Sequence, residues 1–180
     1  MSIGVQRINY NNPSGSYQNL SLWEVSAPVF GNYPKVHPVY YSMVFSADFI
    51  GTSGKTRVAE LPLPVQDTDD QVAYGAYDDG KLARLAVISY AAPNGNSTAF
   101  SFDLGADSGV KQVELRKLVD NAHAMYTGAW NITWAGMSWK AANEGVGQQV
   151  LNDTIVKTVD NGLVEFDVLD NEAVMAILKY

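Results

Sequence analysis

Hydrophobic residues along this chain change their spacing several times, and the changes mark out its elements. Between Gln71 and Tyr90, two runs rich in Val, Leu, Ile and Tyr flank Asp78, Asp79 and Gly80. Asp79-Gly80 can supply the positive φ angles of a tight turn, so the stretch predicts a β-hairpin. In its second arm Leu82, Ala83, Leu85, Ala86, Val87 and Ile88 follow almost without a polar break. A strand that does not alternate is covered on both faces, which makes this arm the central strand of a sheet.

The other segments are read in the same way. Ile3 to Tyr10 has the pattern of a short strand, ended by the turn formers Asn11 to Gly15. Residues 17–35 hold aromatics and prolines without a sustained period and read as irregular structure. Pro38 suits the first position of a helix and Gly51 the position after its end. The residues between, Val39 to Ile50, are apolar nearly all round, so this helix is predicted to be buried. Arg57 to Val65 is a short strand that Pro62 and Pro64 confine to a sheet edge. Phe100, Phe102 and Leu104 alternate with Ser101 and Asp103 as in a half-buried strand, whereas Val110 to Val119 fits a strand or a short helix and its neighbours favour a strand. Gly136 marks a bend or bulge between Asn131 and Trp139. Thr154 to Val159 and Leu163 to Val168 flank Asp160-Asn161-Gly162, a second type I′ hairpin signal. Ala173 to Leu178 is a last apolar strand. The whole predicts a mainly β fold: an antiparallel β-sandwich of about seven or eight strands from residue 71 on, with one buried N-terminal helix and an extra strand and loop.

At 180 residues and 47% hydrophobic content the chain can bury a proper core. Its net charge of -7 argues against nucleic acid and anionic membrane surfaces as partners. No apolar run approaches the roughly 18 to 20 residues of a membrane span, so no membrane insertion is expected. Without cysteine there is neither a disulfide framework nor a thiolate metal site. Nothing in the sequence calls for a metal or another cofactor. Four N-x-[ST] triplets, at Asn19, Asn96, Asn131 and Asn152, suggest a secreted glycoprotein.

Candidate chemistry is sparse. Asp67, Asp69, Asp70, Asp78 and Asp79 fall in turns, where Asp is favoured for local hydrogen bonding. The two histidines, His37 and His123, lie far apart; capping or solvent exposure suits them better than a catalytic triad. Trp130, Trp134 and Trp139 could stack on the apolar face of a sugar ring, although a tryptophan on a sandwich strand is more often core. Tyr17 follows a Gly-containing loop at a strand end, where barrel enzymes place ligand contacts.

Several stretches together resemble the C-terminal part of family 79 glycoside hydrolases, the β-glucuronidase and heparanase group. IGVQRINYNNPSGSYQ resembles an eighth barrel strand with its substrate loop, and HPVYYSMVFSADFIGTSG the eighth barrel helix. QVAYGAYDDGKLARLAVISY and ITWAGMSW resemble stretches of the appended β-sandwich. The resemblance implies that residues 1–56 are a barrel-type strand, loop and helix and that 57–180 form the sandwich domain. It implies that Gly15 and Tyr17 match the loop contacting the sugar carboxylate. Many fungal members carry His-rich sequence where this chain has Ile8 to Asn11. The family's two catalytic glutamates lie on earlier barrel strands, so the resemblance implies no catalytic residue here.

The expected function is that of a non-catalytic interaction or carbohydrate-associated module. The alternatives are a part of a larger β-glucuronidase and a lectin-like protein that binds cell-surface glycans or a receptor. A helix this apolar needs cover on all sides: the sandwich is expected to take one side, leaving Tyr41, Phe45 and Phe49 for a second partner. A homodimer through helix 38–50 would supply it.

Overall fold

The computed structural model describes residues 22–24, 35–63, 70–92, 94–120, 132–139 and 145–180. A minimal ladder pairs β1 (Trp23–Glu24) with β2 (Lys35–Val36) inside the segment read as irregular, and helix α1 (Pro38–Ile50) follows. Then come β3 (Arg57–Leu61), β4 (Gln71–Asp78), β5 (Lys81–Ser89), β6 (Ser97–Asp103), β7 (Gln112–Asp120), β8 (Ile132–Trp134), β9 (Met137–Trp139), β10 (Gly147–Gln149), β11 (Thr154–Thr158), β12 (Leu163–Leu169) and β13 (Ala173–Lys179). The strand expected over Ile3 to Tyr10 lies outside the described residues.

One large antiparallel sheet runs in the order β10-β9-β8-β7-β13-β5-β4-β3, with β11 sharing an edge of β7 with β8. A small sheet, β12-β6, packs on one of its faces and α1 on the other. The fold is thus the mainly β, antiparallel sandwich with one helix that the pattern predicts. Its strands are more numerous than expected, ten of them from residue 71 on among the described residues. β5 is central, flanked by β4 and β13, and β3 lies at the edge as expected, ending at Leu61 just before Pro62.

The two faces of the central strands differ in size, not polarity. Toward the small sheet, β5 and β13 present Leu85, Val87, Val174 and Leu178, which meet Phe100, Phe102, Val164, Phe166 and Val168. Toward α1 the sheet offers Ala76, Ala86, Ala173 and Met175, a low shelf that receives Tyr41, Phe45 and Phe49 at positions i, i+4 and i+8. Burying each of these rings is worth roughly 1.5–3 kcal/mol. Here the sequence reading of α1 is corrected. The three aromatics expected to need a second partner are the ones buried on the chain's own sheet, while Ala47 and Ile50 face outward. The polarity signal for its outer face is confined to Ser42 and Ser46, both exposed, while the inner face is set by the three rings packed on the sheet.

The last turn of α1 is tied to the β4–β5 hairpin. Arg84 donates from Nε to the Phe49 carbonyl at 2.7 Å and from Nη2 to Asp78 at 2.8 Å. The Thr56 hydroxyl bridges the Ile50 carbonyl and the same carboxylate. These contacts satisfy carbonyls that every helix end leaves open. The Thr56 hydrogen bond, against a smaller opposing effect of burial and with help from Arg84, holds the Asp78 carboxyl below its usual range. At the other end His37 occupies the N-cap backbone position without a side-chain capping bond, and it is buried. The expected capping holds for its backbone position but not for a side-chain bond, and the expected solvent exposure is corrected, since His37 is buried with its N–H donated to the Leu22 carbonyl at 2.9 Å. His123 lies outside the described residues.

Among the described residues three turns have two successive positive φ angles: Asp79-Gly80, Ala135-Gly136 and Asn161-Gly162. The first closes the β4–β5 hairpin as predicted. The second closes a β8–β9 hairpin where a mere bend or bulge is expected. The third reverses the chain but does not make the expected hairpin. β11 joins the large sheet through β7 and β12 joins the small one through β6, so beyond the isolated Asp160–Leu163 bridge the arms part company. This arch links the two layers, and Gly162 is pressed against the Gly105 backbone, whose carbonyl oxygen would lie 2.0 Å from an added Cβ.

Two outcomes follow from these contacts. At Gly80 an added Cβ meets nothing within 4 Å, so Gly80→Ala pays only for its backbone conformation, about 1 to 2 kcal/mol. Gly162→Ala adds a backbone clash and should melt clearly lower than Gly80→Ala; equal melting temperatures would contradict the arch. The depressed Asp78 carboxyl stabilises the fold above its unfolded pKa of about 3.9, and that stability is lost as pH falls through the lower folded value. Asp78→Asn should therefore lower the melting temperature at neutral pH and shrink the loss between about pH 5 and pH 2, as read by circular dichroism melts.

Candidate functional site

α1 meets the β8–β9 hairpin along a seam where several polar and aromatic side chains converge. The Tyr41 hydroxyl, carried under the sheet by the helix's buried face, donates to the Trp139 carbonyl at 3.1 Å and accepts from the Trp139 N–H at 3.0 Å, with Ser138 Oγ at 3.2 Å. About two turns further along, Asp48 is the helix's lone charge. It accepts from Trp134 Nε1 at 2.8 Å and from Arg116 Nη1 at 2.9 Å. Arg116 also pairs with Glu114 at 2.7 Å, and Lys179 reaches the other Glu114 oxygen at 3.3 Å. Burial works to raise the Glu114 carboxyl, but Arg116 and then Lys179 together hold it below its ordinary range.

Beside this network an open groove of about 360 Å³ runs between α1 and the β9–β10 ribbon. Asp48 and Arg116 form one wall, Met137 and Trp139 the floor, and Gln149 and Thr154 the far side. The Trp139 indole leans over Gly147 on β10, where an added Cβ would lie 2.7 Å from its Nε1, so only glycine admits that ring position. Its other neighbours are Tyr40 and Tyr41, edge-on at 5.8 and 5.6 Å. The one cation of the lining, Arg116, is paired with its one carboxylate, Asp48, so the groove is charge-compensated despite the acidic chain. It has the size and the mixed lining of a small-ligand site.

A larger cleft of about 790 Å³ opens at the other end of α1, walled by apolar side chains such as Ile88, Leu118, Ile132 and Ala173. Its buried carboxylate, Glu172, is occupied structurally: it accepts from Lys117 Nζ at 3.1 Å and from the Leu169 N–H at 2.9 Å, closing the turn between β12 and β13. Among the described residues no cluster of three or more His, Asp or Glu side chains could hold a metal ion. No described helix is long and apolar enough to cross a membrane.

Of the residues singled out from sequence, Gly15, Tyr17, Asn19, Trp130 and Asn131 lie outside the described residues. Trp134 is 3% exposed, with Phe45 packed edge-on at 5.1 Å. It is packed as core, and it contributes to the lining of the groove beside Trp139. Trp139 is half-buried in the groove, and Asn96 and Asn152 are exposed. Sequence reading missed Asp48, Arg116 and Gln149. A single acid in an otherwise uncharged helix was the available signal for Asp48; nothing local pairs it with an arginine 68 residues on.

No curated protein sequence matches the chain significantly. Among solved structures, a 4-O-α-L-rhamnosyl-β-D-glucuronidase from Fusarium oxysporum 12S superposes with a TM-score of 0.63 at 19% identity, covering 80% of this chain and 30% of that one. A weaker likeness, TM-score 0.48 at 15% identity over 89% of this chain and 32% of the other, is to an α-L-arabinofuranosidase from Thermotoga maritima solved with arabinose. At such identities the Fusarium likeness shows the fold alone, and the chain spans less than a third of that enzyme's length. The family description is more specific: residues 73–175 match the glycosyl hydrolase family 79 C-terminal beta domain. That span holds the β4–β5 hairpin, the β6–β12 layer and the Arg116 and Trp139 sides of the groove, and with more than half of its length matched, this chain belongs to the glycosyl hydrolase family 79 C-terminal beta domain family.

Proposed function

We propose that the chain is a non-catalytic, carbohydrate-associated module, and that the groove beside Trp139 is where it touches a saccharide. The observation that carries this reading is the commitment of the groove's charged groups. Glycoside cleavage asks for one carboxylic acid held protonated and a second carboxylate about 5 Å away or further. Asp48 is bound by Arg116 and Trp134, and Glu114 is held ionised by two cations. A half-exposed indole flanked by an amide and a hydroxyl suits binding a ring better than breaking a bond.

A second reading has its own support. The chain spans 30% of a rhamnosyl-glucuronidase, and α1 turns Ala47 and Ile50 outward, with Ile50 about half exposed. This is the face on which a catalytic domain of a larger β-glucuronidase would rest. Co-expression with such a domain, followed by co-purification and an assay, separates this reading from the first.

For the groove, titration with neutral oligosaccharides followed by amide and indole NMR shifts should move Trp139 and Gln149 signals. Trp139→Ala should weaken binding about three- to tenfold, the size of one aromatic contact. A chromogenic β-glucuronide should meanwhile stay intact. Shifts confined to other surfaces, or hydrolysis lost on replacing a carboxylate of this chain, would overturn the reading.

We further propose that the protein is secreted and glycosylated. Asn96 and Asn152 support this, since both stand exposed just before strands, in N-S-T and N-D-T triplets. Expressed through a eukaryotic secretory route, the chain should lose mass on glycosidase treatment, in steps removed by Asn96→Gln and Asn152→Gln. An unchanged mass would count against it.

A further inference from the structure

Resting on the reading of the groove beside Trp139 as a saccharide site, we propose that it selects uncharged sugar rings and rejects uronates. The two fixed polar oxygens it offers a ligand, Asp48 Oδ1 and Gln149 Oε1, are both hydrogen-bond acceptors. A sugar hydroxyl can donate to either. A carboxylate at neutral pH only accepts, so it can donate to neither.

Each acceptor is anchored by bonds that leave one oxygen over. The two hydrogen bonds to the Asp48 carboxylate, from Trp134 Nε1 at 2.8 Å and from Arg116 Nη1 at 2.9 Å, both end on Oδ2. Among the described residues no donor reaches Oδ1, and the side chain is 41% exposed on the groove wall. Gln149 spends its amide nitrogen on the Ala135 carbonyl at 2.9 Å and on the Leu151 carbonyl. Both of its N–H groups are thus turned to backbone, and the amide oxygen, on the other branch, faces away from them.

The β8–β9 turn holds Gln149 in this position. The Val150 and Leu151 N–H groups donate to the Gly136 carbonyl at 2.9 and 3.2 Å, which draws the end of β10 over the turn. A Cβ at residue 136 would lie 2.6 Å from Gln149 Nε2 and 2.0 Å from the Leu151 oxygen. Glycine there is what lets the amide reach the turn. An acceptor fixed before the ligand arrives has little side-chain freedom left to lose on binding.

A uronate would also need a cation, and the one in the lining is committed. Arg116 turns Nη1 to Asp48, and Nε and Nη2 to Glu114 at 2.8 and 2.7 Å. A sugar carboxylate would have to compete with both of these carboxylates for it. The lining's other unspent side-chain donors, the Trp139 indole N–H and the Thr154 hydroxyl, are uncharged. Seated against Trp139, a carboxylate therefore loses water without gaining a charged partner, whereas the hydroxyls of a neutral ring find acceptors.

Three probes that differ at one carbon test this by NMR titration of the full chain: methyl β-glucoside, methyl β-glucuronide, and the methyl ester of that glucuronide. The glucoside and the ester should shift Trp139 and Gln149 signals. The glucuronide should bind at least about fivefold more weakly than its ester, the loss expected when one polar group goes unmatched. Asp48→Asn keeps the side-chain shape and removes the charge, so it should weaken the glucoside about fivefold and close the gap between glucuronide and ester. Equal weakening of all three probes would mean that Asp48 only supports the fold, and would overturn the proposal. A glucuronide that binds at Trp139 as tightly as its ester overturns it too, and leaves the saccharide site standing. No shift at Trp139 with any of the three removes both.

Discussion

The fold rests on one packing constraint: its central strands must be covered on two faces by layers of different thickness. β5 and β13 carry Leu85, Val87, Val174 and Leu178 toward the small sheet, and toward the helix Ala86, Ala173 and Met175 with the partly buried Ile88 and Ile177 beside them. Interiors are packed close to crystal density, so a shelf of methyl groups is stable only if something bulky lies on it. Tyr41, Phe45 and Phe49 are that bulk. Remove the helix and the alanine side of the large sheet is an open apolar surface; enlarge the alanines and the helix is pushed off its hydrogen bonds.

That fit also builds the groove. Because the aromatic stripe fixes both the height and the rotation of α1, Tyr41 reaches the backbone of Trp139, about a hundred residues away in sequence, and Asp48 emerges where Trp134 and Arg116 can meet it. At the helix end, Arg84 donates to the Phe49 carbonyl and to Asp78 and so locks α1 to the central hairpin. The polar contacts set position while the rings supply most of the free energy. A net hydrogen bond contributes about 1 kcal/mol, whereas a fully buried aromatic contributes more.

The sequence revealed local events well and pairings less so. Asp79-Gly80, the α1 boundaries at Pro38 and Gly51, the β6 alternation and the unbroken β5 run are each short-range, and all four predicted elements are present. The Asn161-Gly162 signal shows the limit. It specifies a reversal of the chain, and the reversal is there, but two arms leaving a reversal can pair with one another or with two other strands. Ala135-Gly136 shows the converse, since alanine seldom takes a positive φ and so announces no turn, yet the β8–β9 hairpin closes on it.

Which partner an arm chooses is decided by how many of its faces must be covered. β12 alternates strictly between exposed and buried along its seven residues, as a strand of an outer layer must, while β13 buries its first four in succession. A strand with one wet face gains nothing from a place in the middle of the large sheet, where its polar side chains would lose water without finding partners. A strand apolar on both faces is unstable anywhere else. The run Leu163 to Leu178 therefore had to cross from one layer to the other at Asp170-Asn171, and Glu172, buried there against Lys117 and the Leu169 amide, satisfies the backbone that the crossing exposes. Face by face, the polarity pattern assigns strands to layers more reliably than turn residues assign them to neighbours.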